Sequence, residues 1–278
     1  YIIRYDMVQK RRILDCIRGL EDAKAPLLGY AFNGIPVHRG GYGYYGYGLY
    51  DPTMILVLIG AVLSLWASAK VKNTFNRYSS VRSMTGMTGA EAAQRLLNSQ
   101  GIYDVTVRPV SGQLTDHYDP RTKTVNLSDG VYSSTSVAAI GVAAHECGHA
   151  IQDNVGYVPL RMRAAFVPVV NFGSQLSWPL ILIGLLIGGA GSTIVNIGIW
   201  MFVLVVLFQL ITLPVELNAS HRAVKLLDSI GILQGKEVGQ TRKVLGAAAL
   251  TYVAAAAASV LQLLRLIMLF GGRRDRDN

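Results

Sequence analysis

The chain has 278 residues, a formal net charge of +9, 51% hydrophobic residues and only 15% charged ones, with a mean hydropathy of +0.35. It is too apolar and too thinly charged for an ordinary soluble protein, so a chain integral to a membrane is expected. The positive balance does not read as a nucleic-acid surface, because no basic stripe is interleaved with base-stacking aromatics.

Residues 1–48 read as an N-terminal extension. The chain starts at Tyr1 rather than Met, which fits a fragment, a processed form or an upstream extension, and leaves open whether residues 1–40 belong to the mature protein. Residues 6–24 have the pattern of a short amphipathic helix. Residues 39–50, rich in Gly and Tyr, read as a tether whose tyrosines rest at a membrane interface. A first transmembrane helix is expected at 49–70, where Lys70 ends the apolar run and Lys72 follows.

Residues 71–163 read as the water-facing segment that follows the first span. Thr88-Gly89-Ala90-Glu91 is a capping box that opens a helix running to about Gln100 and stopped by Gly101. Alternating runs at 105–110, 114–118 and 124–127, with Asp119-Pro120-Arg121-Thr122 as the turn of the last pair, predict a small antiparallel sheet. Its free edge offers an extended peptide a strand to pair with. His117, alone on a strand, reads as locally bonded rather than as a ligand.

Ser133-Ser134-Thr135-Ser136 then supplies N-caps for an apolar, small-sided helix that runs without a proline into His145-Glu146-Cys147-Gly148-His149. Histidines four apart share one helical face and rise only about 6 Å, so two ring nitrogens can meet one ion. Zn²⁺ held there with an open position lowers the pKa of a bound water, and Glu146 stands where a general base is needed. With 5 His and 5 Glu in 278 residues, a chance occurrence is rare. Cys147 reads as a small packing residue, and Cys16 and Cys147 give no disulfide framework, which suits a reducing compartment. Asp153 shares the histidine face but lies about 12 Å along the axis from His145, too far to share its ion.

Residues 164–215 contain no Asp, Glu, Lys, Arg or His. They are long enough for two spans of about 20 residues folded at Gly188-Gly189-Ala190-Gly191-Ser192, a transmembrane hairpin. Residues 216–246 carry the third metal ligand and a connection. Glu216 ends the uncharged run, where an ionised carboxylate should have a partner, and His221 is its rival as ligand. Residues 247–270 make a fourth transmembrane helix, with Arg265 snorkelling or facing protein and an Ala-rich core helix as the alternative; 271–278 are a polar tail. Lys70, Lys72, Arg77 and Arg82 follow the first span, Arg161 and Arg163 precede the hairpin, and Arg222, Lys225, Lys236, Arg242 and Lys243 follow it, while the hairpin loop has no basic residue. The positive-inside rule therefore puts the catalytic segment in the cytoplasm of a multi-pass plasma-membrane protein, with both termini outside; the basic tail at 273–276 runs against that last placement.

Leu49-Tyr50-Asp51-Pro52-Thr53, Ala69-Lys70-Val71-Lys72-Asn73-Thr74-Phe75, the motif at 145–149 and the run at 213–222 resemble the YugP-type membrane zinc metallopeptidases over residues 49–270. That family is similar to gluzincins such as the HtpX-type and CAAX prenyl proteases, whose third ligand is a glutamate on a later helix. The resemblance implies Glu216 as that ligand here. The relatives carry an acid one turn after the glutamate, where this chain has Ser220, so the partner of the first histidine's outer nitrogen does not follow from the family.

The reading is thus a mainly α membrane protein, with about four transmembrane helices and a small α+β zincin-like catalytic domain. It is expected to be a zinc metalloendopeptidase with one Zn²⁺ per chain on His145, His149 and Glu216, and with Glu146 as base. His221 and Arg222 are candidates to stabilise the oxyanion. Its expected partners are the lipid bilayer and peptide or membrane-protein substrates, with a second copy or a membrane regulator as further partners and no nucleic acid. A non-proteolytic zinc-binding membrane scaffold or chaperone is the alternative.

Overall fold

A computed structural model describes residues 2–4, 31–33, 51–188 and 191–270. The expected amphipathic helix at 6–24, the Gly/Tyr-rich tether, Cys16, two residues of the hairpin turn and the polar tail lie outside the described residues. The chain divides into two compact units, Tyr1–Met54 and Ile55–Asn278. In the first, β1 (Ile2–Arg4) pairs in parallel with β2 (Ala31–Asn33), Ile2 opposite Ala31.

From Met54 onward the elements are α1 (Met54–Ser79), α2 (Gly89–Ser99), β3 (Thr106–Val110), β4 (His117–Asp119), β5 (Thr124–Ser128), α3 (Asp129–Tyr132), α4 (Val137–Asn154), α5 (Val158–Ile187), α6 (Ser192–Ser229) and α7 (Lys236–Phe270). Helices α1, α5, α6 and α7 are each long and apolar enough to cross a membrane. The protein is a mainly α-helical membrane protein. Helix α1 runs on through Lys70 and Lys72, past the expected end at residue 70, because charge ends an apolar span without ending a helix. Lys70 Nζ lies 5.1 Å from the Trp66 ring centroid, the aromatic–basic pairing found where a helix leaves a bilayer. Helix α6 is likewise continuous through Pro214, so the second half of the hairpin and the expected third-ligand helix are one rod.

The expected all-antiparallel sheet is corrected. Strand order is β3-β5-β4, with β3 parallel to β5 (Thr106 opposite Thr124) and β4 antiparallel to it (His117 opposite Asn126). Strand β5 takes the centre because its residues are buried on both faces, whereas β3 and β4 keep an exposed side. The β4–β5 turn forms as expected, with the Arg121 N–H donating to Asp119 Oδ1 at 2.9 Å. The run at 114–118 is pairing-competent only from His117, since Leu114 has a φ of 57°.

Helix α2 carries the full capping box: Glu91 N–H donates to Thr88 Oγ1 and Thr88 N–H to Glu91 Oε2. Its buried Ala92, Ala93, Leu96 and Leu97 form one helical stripe against α4. Helix α4 starts at Ser136, whose Oγ accepts the Ala139 N–H, and ends with Gly156 at a φ of 65°. It lies at the centre of the fold, packed on α2, α6 and α7 and sharing a core with Leu127 and Leu227. Asp153, at its end, accepts from Lys123 Nζ at 2.6 Å and Tyr118 OH at 2.8 Å, tying the sheet to α4.

Candidate metal centre

Helix geometry stacks His145 over His149, with ring centroids 4.8 Å apart and planes at 82°. Glu216 enters from α6. Its Oε2 lies 3.2 Å from His145 Nε2 and 3.6 Å from His149 Nε2. All three ligand atoms fall within 4.8 Å of one another. Donors bound tetrahedrally to one Zn²⁺ at about 2.0–2.1 Å would stand roughly 3.4 Å apart, so this donor set fits zinc. Glu216 can come so close because Gly148 has no side chain: a Cβ there would lie 2.7 Å from Ala219 O and 3.1 Å from Ala219 Cα. The motif's glycine is where α4 and α6 touch.

Each histidine is oriented from behind. Arg222 can only donate, and its Nε–H donates to Asn218 Oδ1 at 2.7 Å. The same oxygen accepts Gln152 Nε2–H at 3.0 Å, and a second proton of that amide goes to Val215 O at 2.8 Å. Gln152 Oε1 is therefore an acceptor, so His149 Nδ1 must carry the proton it donates across 3.0 Å. His149 Nε2 is then the nitrogen that faces Glu216, where it takes up a proton without a cation and would offer its lone pair to one. His145 Nδ1 lies 3.1 Å from Ser220 Oγ. A hydroxyl accepting from Nδ1–H would leave His145 Nε2 as the nitrogen turned to Glu216 in the same way.

Glu216 is 2% exposed, and its other oxygen, Oε1, accepts from Arg163 Nη1 at 2.8 Å. Burial opposes a proton on His149, but Glu216 and Glu146 outweigh it and raise its pKa. Without a cation the carboxylates draw a proton onto the imidazole; a bound cation would answer the same negative charge. Glu146 is buried in α4 beside these groups. Cys147 points to the other side of the helix, its Sγ 3.6 Å from Ala93 O, and burial pushes its thiol pKa up. His117 is bonded locally, to Thr115 O and Asn126.

His221 is exposed, and Arg222 is held by Asn218. The sequence reading missed Arg163, Gln152 and Tyr252. Tyr252, on α7, lies near Glu216, Arg163 and Glu146. Its one signal in the sequence is its size, a large polar-tipped side chain in a run of alanines at 247–258.

The profile of the family described as "Putative neutral zinc metallopeptidase" matches residues 53–271. The chain belongs to this family. It is 48% identical over 224 residues to the "Putative membrane protease YugP" of Bacillus subtilis (strain 168), covering 81% of the chain and 99% of that relative. No solved structure matches the chain.

Proposed function

We propose that the chain is a membrane-integral zinc endopeptidase that hydrolyses peptide bonds in peptide or membrane-protein substrates. The observation that carries this reading is the meeting of His145 Nε2, His149 Nε2 and Glu216 Oε2 within 4.8 Å beside the buried Glu146. These three residues hold one Zn²⁺ per chain, which when bound supplies a Lewis acid and lowers the pKa of a coordinated water. Glu146 accepts a proton from the attacking water and returns it to the leaving amine. Tyr252 serves as donor to the oxyanion in preference to His221 and Arg222, because it lies near Glu216 and Glu146 while His221 is exposed and Arg222 is engaged by Asn218.

The test is hydrolysis of a peptide library by purified protein in detergent micelles, with zinc measured in the same samples. Glu146→Gln should keep one zinc per chain while losing hydrolysis by at least ~100-fold, the low end of general-base contributions. Tyr252→Phe should keep zinc and lower kcat. Hydrolysis by Glu146→Gln within about twofold of the parent would favour the scaffold or chaperone reading, since a structural zinc needs no base.

Loop charge supports a cytoplasmic site in the plasma membrane. In intact cells, with Cys16 replaced and Cys147 buried, a cysteine at Ser229 should resist a membrane-impermeant thiol reagent and one at Ser192 should react. The opposite labelling would put the site outside.

A further inference from the structure

We propose that Arg163 is the residue that positions the third ligand, and that through it the metal centre depends on the packing of the membrane hairpin. The proposal rests on the zinc reading above. Arg163 Nη1 donates to Glu216 Oε1, while Oε2 is the oxygen turned toward His145 and His149. A free carboxylate can offer a metal either oxygen or both. One whose Oε1 is engaged by a guanidinium in a charge-assisted hydrogen bond presents Oε2 alone.

The two partners come from opposite arms of the hairpin. Glu216 lies about 36 Å up α6 from Ser192, and Arg163 the same ~36 Å before the end of α5 at Ile187. Both therefore stand just beyond a hydrocarbon core of about 30 Å, at matching heights. Their register is set below them by close backbone contact. A Cβ on Gly198 of α6 would lie 2.7 Å from Ile181 Cγ1 and 2.9 Å from Ser177 O; one on Gly173 of α5 would lie 3.4 Å from Met201 O. Sliding one helix past the other by a single residue is about 1.5 Å, enough to break the Arg163–Glu216 bond. The competing account is that Arg163 only neutralises a buried carboxylate in the metal-free protein and swings out when a cation enters. Its side chain is 32% exposed, so it has room to leave.

The two accounts separate once metal is bound. Zinc affinity is measured by chelator competition in detergent micelles, and Co²⁺ absorption reports coordination number. Arg163→Gln should weaken zinc by about 10–100-fold, the usual scale for a residue that orients a ligand. It should also lower the intensity of the Co²⁺ bands as Glu216 turns bidentate. Arg163→Lys, which keeps one charged donor, should recover part of both, and decides the matter if Arg163→Gln does not fold. Gly198→Val, which touches no ligand, should weaken zinc in the same direction. Affinity within about threefold of the parent and unchanged Co²⁺ bands in Arg163→Gln and Arg163→Lys, with Glu216→Ala losing metal, would overturn the positioning role and leave the ligand set standing. Full zinc retention by Glu216→Ala would overturn the ligand set itself, and unchanged affinity in Gly198→Val would sever the link to the hairpin.

Discussion

The packing around α4 and the outer faces of the long helices use similar residues in opposite ways. In the first region Leu96, Leu97, Leu127, Ile140 and Leu227 are buried. In the second, Leu65 is 71% exposed, Leu186 86% and Trp200 70%. A soluble protein cannot leave so many large apolar side chains outward. The difference shows where each part keeps its apolar surface from water, against other side chains in one case and against lipid tails in the other. Helix α6 belongs to both regions, with Trp200 and Leu207 outward below Pro214 and Glu216, Ala219, Ala223 and Leu227 buried above it. The candidate metal centre sits at that change of surroundings.

The sharpest way to break the comparison is to make one truncation in each region. Leu127→Ala in β5 removes a side chain packed on all sides and should cost about 2–5 kcal/mol. Leu65→Ala on α1 exchanges lipid contact for lipid contact and should fall within about 0.5 kcal/mol of the parent. The check is the thermal unfolding midpoint in detergent micelles. Equal losses at the two sites would mean that the exposed face of α1 is covered by protein rather than by lipid.

That contrast also bears on what could be read from the sequence. The capping box, the caps of α4, the paired histidines and the four apolar runs are local signals, and each stands where its spacing put it. The sheet is different. Pairing of β3 with β5 skips the intervening strand, and nothing local to Thr106–Val110 announces a parallel neighbour; only the double-sided burial of β5, visible in three dimensions, selects it as the centre. The site divides in the same manner. His145 and His149 announce themselves by spacing, while Glu216 needed the resemblance to the family to separate it from His221. Gln152, Asn218 and Arg222 act as a chain of donors and acceptors only because α4 and α6 lie side by side. Arg163 read as a topology charge, since its partner lies across the hairpin.

A smaller effect tests the seam between the regions. Gly148 is helical, so on propensity alone alanine there should gain about 1 kcal/mol. Against that, the added Cβ would meet Ala219 O at 2.7 Å and Ala219 Cα at 3.1 Å, backbone atoms that cannot turn aside as a side chain can. Overpacking of this kind costs about 1–3 kcal/mol, so the clash outweighs the propensity and Gly148→Ala should be destabilising by up to ~2 kcal/mol. Gly239, on α7, is the control, because a Cβ there has nothing within 4 Å. Gly239→Ala should therefore show the propensity term alone, a gain of up to about 1 kcal/mol. The two variants should move the unfolding midpoint in opposite directions, and Gly148→Ala alone should also lower zinc affinity, since pushing α6 off α4 draws Glu216 from the histidines. A Gly148→Ala protein as stable and as zinc-loaded as Gly239→Ala would mean that α6 can shift without disturbing the proposed ligands, and that the close contact at Ala219 is not what brings Glu216 to the histidines.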